Sequence, residues 1–152
     1  AVERHKAGDF PQAENIYNQI LQSDPKQPEA LHQLGVVALQ TEAFEKAVQL
    51  FRRALAVKPE FAEAHNNLGT SLKKIGRLDE AVPHYRKAIA INPDLAAAYN
   101  NLGNALKELG RAEDALTNYQ KAITINPSNA EFHGNQGNVF KAMGRLGEAV
   151  KS

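Results

Sequence analysis

The chain has no cysteine, so disulfides, thiolate metal sites and a cysteine nucleophile are all excluded. It has almost no charge imbalance: Lys and Arg total 18 against 17 Asp and Glu, a formal charge of +1. Any charge-driven partner must therefore meet a local patch rather than a global field. No apolar run approaches the roughly 20 residues that cross a bilayer, and no signal-like segment is present, so no membrane partner is expected. Strand patterns are missing, as are Rossmann and P-loop glycine clusters. The "GNQG" at 134–137 lies inside a helix by register, so neither a phosphate loop nor a cofactor is expected. What is present is 152 residues at 43% hydrophobic content, enough for one globular unit or a short repeat array. Because the first residue is Ala1 rather than methionine, a fragment of a longer protein is expected, and the compartment stays open.

One period organises these residues. Glycines fall at Gly35, Gly69, Gly103 and Gly137, prolines at Pro25, Pro59, Pro93 and Pro127, and alanines at Ala13, Ala47, Ala81, Ala115 and Ala149; each step is 34. Tyr17, Phe51, Tyr85 and Tyr119 follow four of those alanines by four residues. A second glycine recurs as Gly8, Gly76, Gly110 and Gly144, with Glu42 as the exception.

Each period reads as two helices. Tyr99, Leu102, Leu106 and Leu109 lie at helical spacing, and Gly110 ends that helix A without a Cβ penalty. Ala115, Tyr119, Ala122 and Ile123 form the stripe of helix B, which Asn126-Pro127 ends because the residue before proline avoids helical geometry. Pro11 and Pro28 sit where first helical positions fall. Pro83 lies about one turn into a helix B, where a local kink or a late start is expected. Small residues such as Gly103, Ala115 and Ala122 let backbones approach, and a unit of this kind buries its faces only by stacking on copies of itself. The expected fold is an all-α solenoid: a partial repeat at 1–27, full repeats at 28–61, 62–95 and 96–129, and a partial repeat at 130–152 that ends inside a helix B.

L-G-x-x-L, then A-x-x-x-Y and a closing proline at period 34, together resemble the tetratricopeptide repeat. The resemblance covers the whole chain. The family's large first residue stands here as Leu31, His65, Tyr99 and His133. His65 and His133 are two layers apart, too far for a common metal or an acid–base pair, and packing with one polar tip is expected. Arg52, Arg53, Arg86, Lys87 and Lys121 form a row along the B helices, flanked by Glu45, Asp79, Glu80, Glu113 and Asp114. A solvated outer face is expected there rather than a nucleic-acid site. No catalytic constellation emerges.

A polar strip runs along the A helices. Asn101 recurs in register as Gln33, Asn67 and Asn135, Asn104 recurs as Thr70 and Asn138, and Asn100 recurs as Asn66. Residues three, four and seven apart share a helical face, so Ala97, Asn100, Asn101 and Asn104 form one strip, with glutamate at the slot of Ala97 in the other repeats. Tetratricopeptide arrays line their concave side with A helices, so the resemblance places this strip in a groove. The strip resembles that of the superhelix of O-linked N-acetylglucosamine transferase and related bacterial proteins, whose asparagine ladder holds an extended peptide by its backbone. Asn67, Asn101 and Asn135 match that ladder position, with Gln33 as a longer substitute. A carboxamide is both donor and acceptor, so it suits a peptide group whatever the side chain. The alternative is that these amides are solvated or bond to each other along the stack.

Glu29, Glu63 and Glu131 mark helix A starts, and Lys73, Lys107 and Lys141 mark helix A ends. Helix-dipole compensation explains both rows, and a functional version has the lysine edge favouring acidic residues in a bound peptide. A carboxylate clamp is disfavoured, because Asn66, Asn100 and Asn101 occupy its slots. The expected function is protein–protein interaction through an extended peptide segment, and removing the ladder asparagines should harm binding more than folding. End-to-end self-association through uncapped ends, and service as the recruiting arm of an enzyme whose catalytic domain lies elsewhere, stay open.

Overall fold

Apolar residues three and four apart drive the segments between the prolines into helices, and the computed structural model describes residues 10–151. Among the described residues there are eight helices: α1 (Phe10–Ser23), α2 (Pro28–Gln40), α3 (Phe44–Val57), α4 (Ala62–Lys74), α5 (Leu78–Ile91), α6 (Ala96–Glu108), α7 (Ala112–Ile125) and α8 (Ala130–Lys151). No strand occurs among those residues. The chain is an α-solenoid of antiparallel helix pairs. Even-numbered helices take the role of helix A and odd-numbered ones that of helix B. Besides its B partners, each A helix packs on the next one, α2 on α4, α4 on α6 and α6 on α8. The A helices therefore form the inner row of the curve.

The lock within each pair is an aromatic ring on a glycine. A Cβ added at Gly35 would lie 2.7 Å from the Phe51 ring, one at Gly69 would lie 2.8 Å from Tyr85, and one at Gly103 would lie 2.7 Å from Tyr119. Those three rings are 0% exposed, as are Ala47, Ala54, Ala81, Ala88, Ala115 and Ala122 on the same B helices. Small residues thus admit the neighbouring backbone while large ones fill the interior to native density.

Boundaries follow the local chemistry. Pro28 opens α2 at a position where its missing N–H costs nothing, and the Gln27 side chain caps it by accepting from the Ala30 N–H. Helices α3, α5 and α7 end at Lys58, Asn92 and Asn126, each held away from helical ψ by the proline that follows. The A-to-B turns are left-handed: φ is 80° at Gly76, 76° at Gly110 and 60° at Glu42. The Ala43 N–H reaches the Ala38 carbonyl at 2.8 Å, and Arg77 and Arg111 close their turns in the same way onto Leu72 at 2.9 Å and Leu106 at 2.8 Å. Glu42 keeps a glycine's conformation because its neighbours' hydrogen bonds impose it.

Two expectations are corrected. α5 begins at Leu78, in register with Phe44 and Ala112, so Pro83 causes no late start; it stands exposed inside the helix. The last repeat does not turn at Gly144: α8 runs through it as one helix to Lys151. Gly137 has nothing within 4 Å where Gly35, Gly69 and Gly103 meet a ring.

Gly103→Leu should lower stability by roughly 1–3 kcal/mol or more, because its side chain must displace the Tyr119 ring. Glu42→Gly should raise it by up to about 1 kcal/mol by relieving the positive φ. Urea midpoints of the two variants, measured against the parent, check both.

Candidate functional site

The carboxamides of the inner row are tied together from repeat to repeat. Asn135 Nδ2 donates to Asn100 Oδ1 at 2.9 Å, Asn101 Nδ2 donates to Asn66 Oδ1 at 3.0 Å, and Asn67 Nδ2 meets His32 Nε2 at 3.1 Å. Each bond joins a residue to the one 35 positions earlier, so the stacked helices bring adjacent columns of the period into contact. Asn66 Nδ2 donates to Asn67 Oδ1 at 3.3 Å, and Asn100 Nδ2 donates to Glu131 Oε1 at 2.9 Å. Asn101 Nδ2 also lies 3.4 Å from Thr70 Oγ1.

Burial divides the strip into three classes. Asn66 is 8% exposed and Asn100 is 2% exposed, so they face the neighbouring repeat and do not stand open to a ligand. That revises their expected role to one of holding the rungs. Gln33, Asn67, Thr70, Asn101, Asn104 and Asn135 are half-buried, and Asn138 is exposed. Thr70 and Asn104 receive the helix B hydroxyls, Tyr85 at 3.4 Å and Tyr119 at 2.7 Å, which sequence reasoning had not connected to the strip. Lys73 pairs with Glu108 at 2.6 Å, whereas Lys107 and Lys141 are exposed. The expectation that the ladder asparagines contribute little to folding is also revised. Truncating Asn101 or Asn135 strands a buried Oδ1 on Asn66 or Asn100, at a cost of about 1–3 kcal/mol each.

The unused hydrogen-bonding capacity is what a ligand would meet. Among the described residues, Oδ1 of Asn101 and Oδ1 of Asn135 accept no hydrogen bond, and Asn135 keeps one amide hydrogen. Asn67 has its Oδ1 occupied and one hydrogen left.

The histidines are structural. His65 Nε2 donates to the Pro59 carbonyl at 3.0 Å, and His133 Nε2 does the same to Pro127 at 2.9 Å, one repeat position doing one job. With its proton on Nε2, His65 presents a bare Nδ1 to His84 Nδ1 at 3.0 Å, so His84 is the donor between them. The spacing 65–84 carries no repeat signal, since the counterpart pairs are Tyr99 with Asn118 and Leu31 with Leu50. Burial lowers the pKa of both, with Lys87 lowering His65 further and Arg52 lowering His84. The basic row on the B helices is partly neutralised, Arg52 by Glu80 at 3.4 Å and Lys87 by Glu60 at 2.9 Å. Among the described residues no cluster of His, Asp and Glu has metal-binding geometry, and no helix is long and apolar enough to cross a membrane.

Tetratricopeptide-repeat family models match residues 4–72, 60–128 and 118–151, which together run through nearly the whole sequence. The chain carries tetratricopeptide repeats. No curated protein matches the sequence. Among solved structures, MamA is 28% identical with a TM-score of 0.83, over 98% of this chain and 87% of that one. A MamA RS-1 ArsTM double mutant is 23% identical with a TM-score of 0.83, over 98% and 84%. The Cut9–Hcn1 hetero-tetramer of APC/C is 17% identical with a TM-score of 0.86, over 91% of this chain and 28% of that one, a likeness of fold alone. Repeats and structural neighbours together support a protein–protein interaction module, and this repeat fold is typically non-catalytic.

His32, which meets Asn67, gives the fold a pH dependence. Burial holds the pKa of His32 down to about 4, with Glu63 and Glu29 opposing and Lys58 reinforcing. Neutral Nε2 is also the form that accepts from Asn67. Because the folded value lies below the unfolded value of about 6.5, this stability is whole above that pH and is lost as pH falls toward 4, up to about 3 kcal/mol. His32→Asn, which installs the residue found at 66 and 100, should narrow the gap between melting temperatures at pH 7 and pH 4.5.

Proposed function

We propose that the array binds an extended peptide segment along its inner row, with Asn67, Asn101 and Asn135 pairing to the peptide backbone and Gln33 supplying a longer first rung. The observation that carries this reading is that the Asn101 and Asn135 amides are fixed by their nitrogens while their carbonyl oxygens accept nothing among the described residues. An acceptor held at that face suits a peptide N–H. Neighbouring helices pack about 8–10 Å apart and an extended chain advances roughly 3.3 Å per residue, so one rung meets a peptide about every three residues. The resemblance to the asparagine ladder of O-linked N-acetylglucosamine transferase points the same way. Thr70, Asn104 and Asn138 would flank the peptide, with Lys73, Lys107 and Lys141 along one edge.

The test separates binding from folding. A displayed library of random peptides is selected on the parent array, and the selected peptides are titrated against Asn101→Ala/Asn135→Ala, whose helicity and melting curve are measured in parallel. Each lost hydrogen bond should weaken binding about fivefold to tenfold, at a temperature where the variant is still folded. Peptides that bind parent and variant alike would remove the ladder from the binding face. Self-association is a second reading, favoured by Phe140, which is 57% exposed on α8, and by the open Gly137 beside it. Sedimentation of the same samples checks it: mass should rise with concentration, and Phe140→Glu should suppress the rise.

A further inference from the structure

The inner row is not uniform along its length. At the column where α4, α6 and α8 carry Thr70, Asn104 and Asn138, helix α2 carries half-buried Val36. At the column of Lys73, Lys107 and Lys141 it carries half-buried Leu39. The column of Asn66 and Asn100 holds His32 there, its ring 4.6 Å from that of Phe61 and 5.6 Å from that of Phe51. All three differences make the α2 end apolar. The charge lies at the other end. Lys73 is neutralised by Glu108, but Lys107 and Lys141 are exposed and make no ion pair among the described residues.

Resting on the peptide-binding reading above, we infer that the groove sets the register of its ligand. An apolar side chain seats against Val36 and Leu39 on α2, and acidic side chains of the same segment meet Lys107 on α6 and Lys141 on α8. Charge complementarity fixes the acidic end, since two unpaired ammonium groups on one edge attract carboxylates and repel basic segments. Geometry fixes the spacing. Two A-helix steps of about 8–10 Å separate α2 from α6 and three separate it from α8, which at roughly 3.3 Å per residue is about five to nine residues of extended chain. The ligand class is therefore a bipartite peptide, one apolar anchor followed at that distance by carboxylates, with backbone pairing to the asparagines between.

The experiment uses fluorescein-labelled peptides of about 12 residues on a serine–alanine background, long enough to span those helices. One set places a leucine near the N-terminus with two glutamates five to nine residues later; a second reverses the order; leucine-only, glutamate-only and plain peptides complete the series. One bipartite orientation should bind about tenfold tighter than the plain peptide through its leucine and about threefold tighter again through each glutamate. Leu39→Lys, which installs the residue of the other repeats, should abolish the leucine increment alone. Lys107→Glu/Lys141→Glu should abolish the glutamate increment alone, together with its salt dependence. If all the peptides bind alike and all weaken in Asn101→Ala/Asn135→Ala, the backbone reading stands and the graded groove is wrong. If increments appear but neither charge nor leucine variant alters them, the placement is wrong. If no peptide binds the parent, both readings fall.

Discussion

Because Phe51, Tyr85 and Tyr119 set their rings against Gly35, Gly69 and Gly103 with no space for a Cβ, each helix pair is held at one separation. The register of everything on the A helices follows from that contact. It fixes how one pair sits on the next, and so which column of one repeat meets which column of its neighbour. The ladder bonds between residues 35 apart are a consequence.

The same contact explains a second pattern. Where the ring is tyrosine, its hydroxyl emerges beside the inner row and finds an acceptor, Thr70 for Tyr85 and Asn104 for Tyr119. Where the ring is Phe51 the matching residue is Val36, which accepts nothing and needs to accept nothing. Polar and apolar choices therefore travel in pairs through the wall between helix B and the groove, because a buried hydroxyl without a partner costs more than its hydrogen bond returns. Tyr17 illustrates the cost: its hydroxyl is buried with no partner among the described residues, and burial raises its pKa.

The period of 34 made the architecture legible, because glycines, prolines and aromatics at one interval can satisfy their packing only by repetition. The positive φ at Glu42 was legible for the same reason, since its register demanded a glycine's conformation. The strip itself was visible as a column of amides, yet the division of labour within it was not. Asn100 and Asn101 differ by one residue in sequence and by about 100° in direction, enough to bury one and half-expose the other once the next repeat is in place. The His65–His84 contact had no signal either, because it joins two helices at one level of the stack and recurs nowhere else. Periodicity reports what every repeat shares, and is silent where one repeat departs from the rest.

Asparagine suits the rungs because it has more hydrogen-bonding capacity than the stack consumes. A serine at 101 has a single hydroxyl hydrogen, and the stack would use it; an alanine would leave Asn66 Oδ1 without its donor; the carboxamide satisfies Asn66 through nitrogen and still turns a carbonyl outward. The surplus differs by rung: an acceptor at Asn101, an acceptor and a donor at Asn135, a donor at Asn67. A stack that holds its own amides in fixed orientations has already met the entropic cost of ordering them, so the proposed peptide would lose less on binding at that face than against freely rotating side chains. Structural bonding along the stack and the proposed recognition of a backbone would then be two uses of one side chain rather than rival explanations of it.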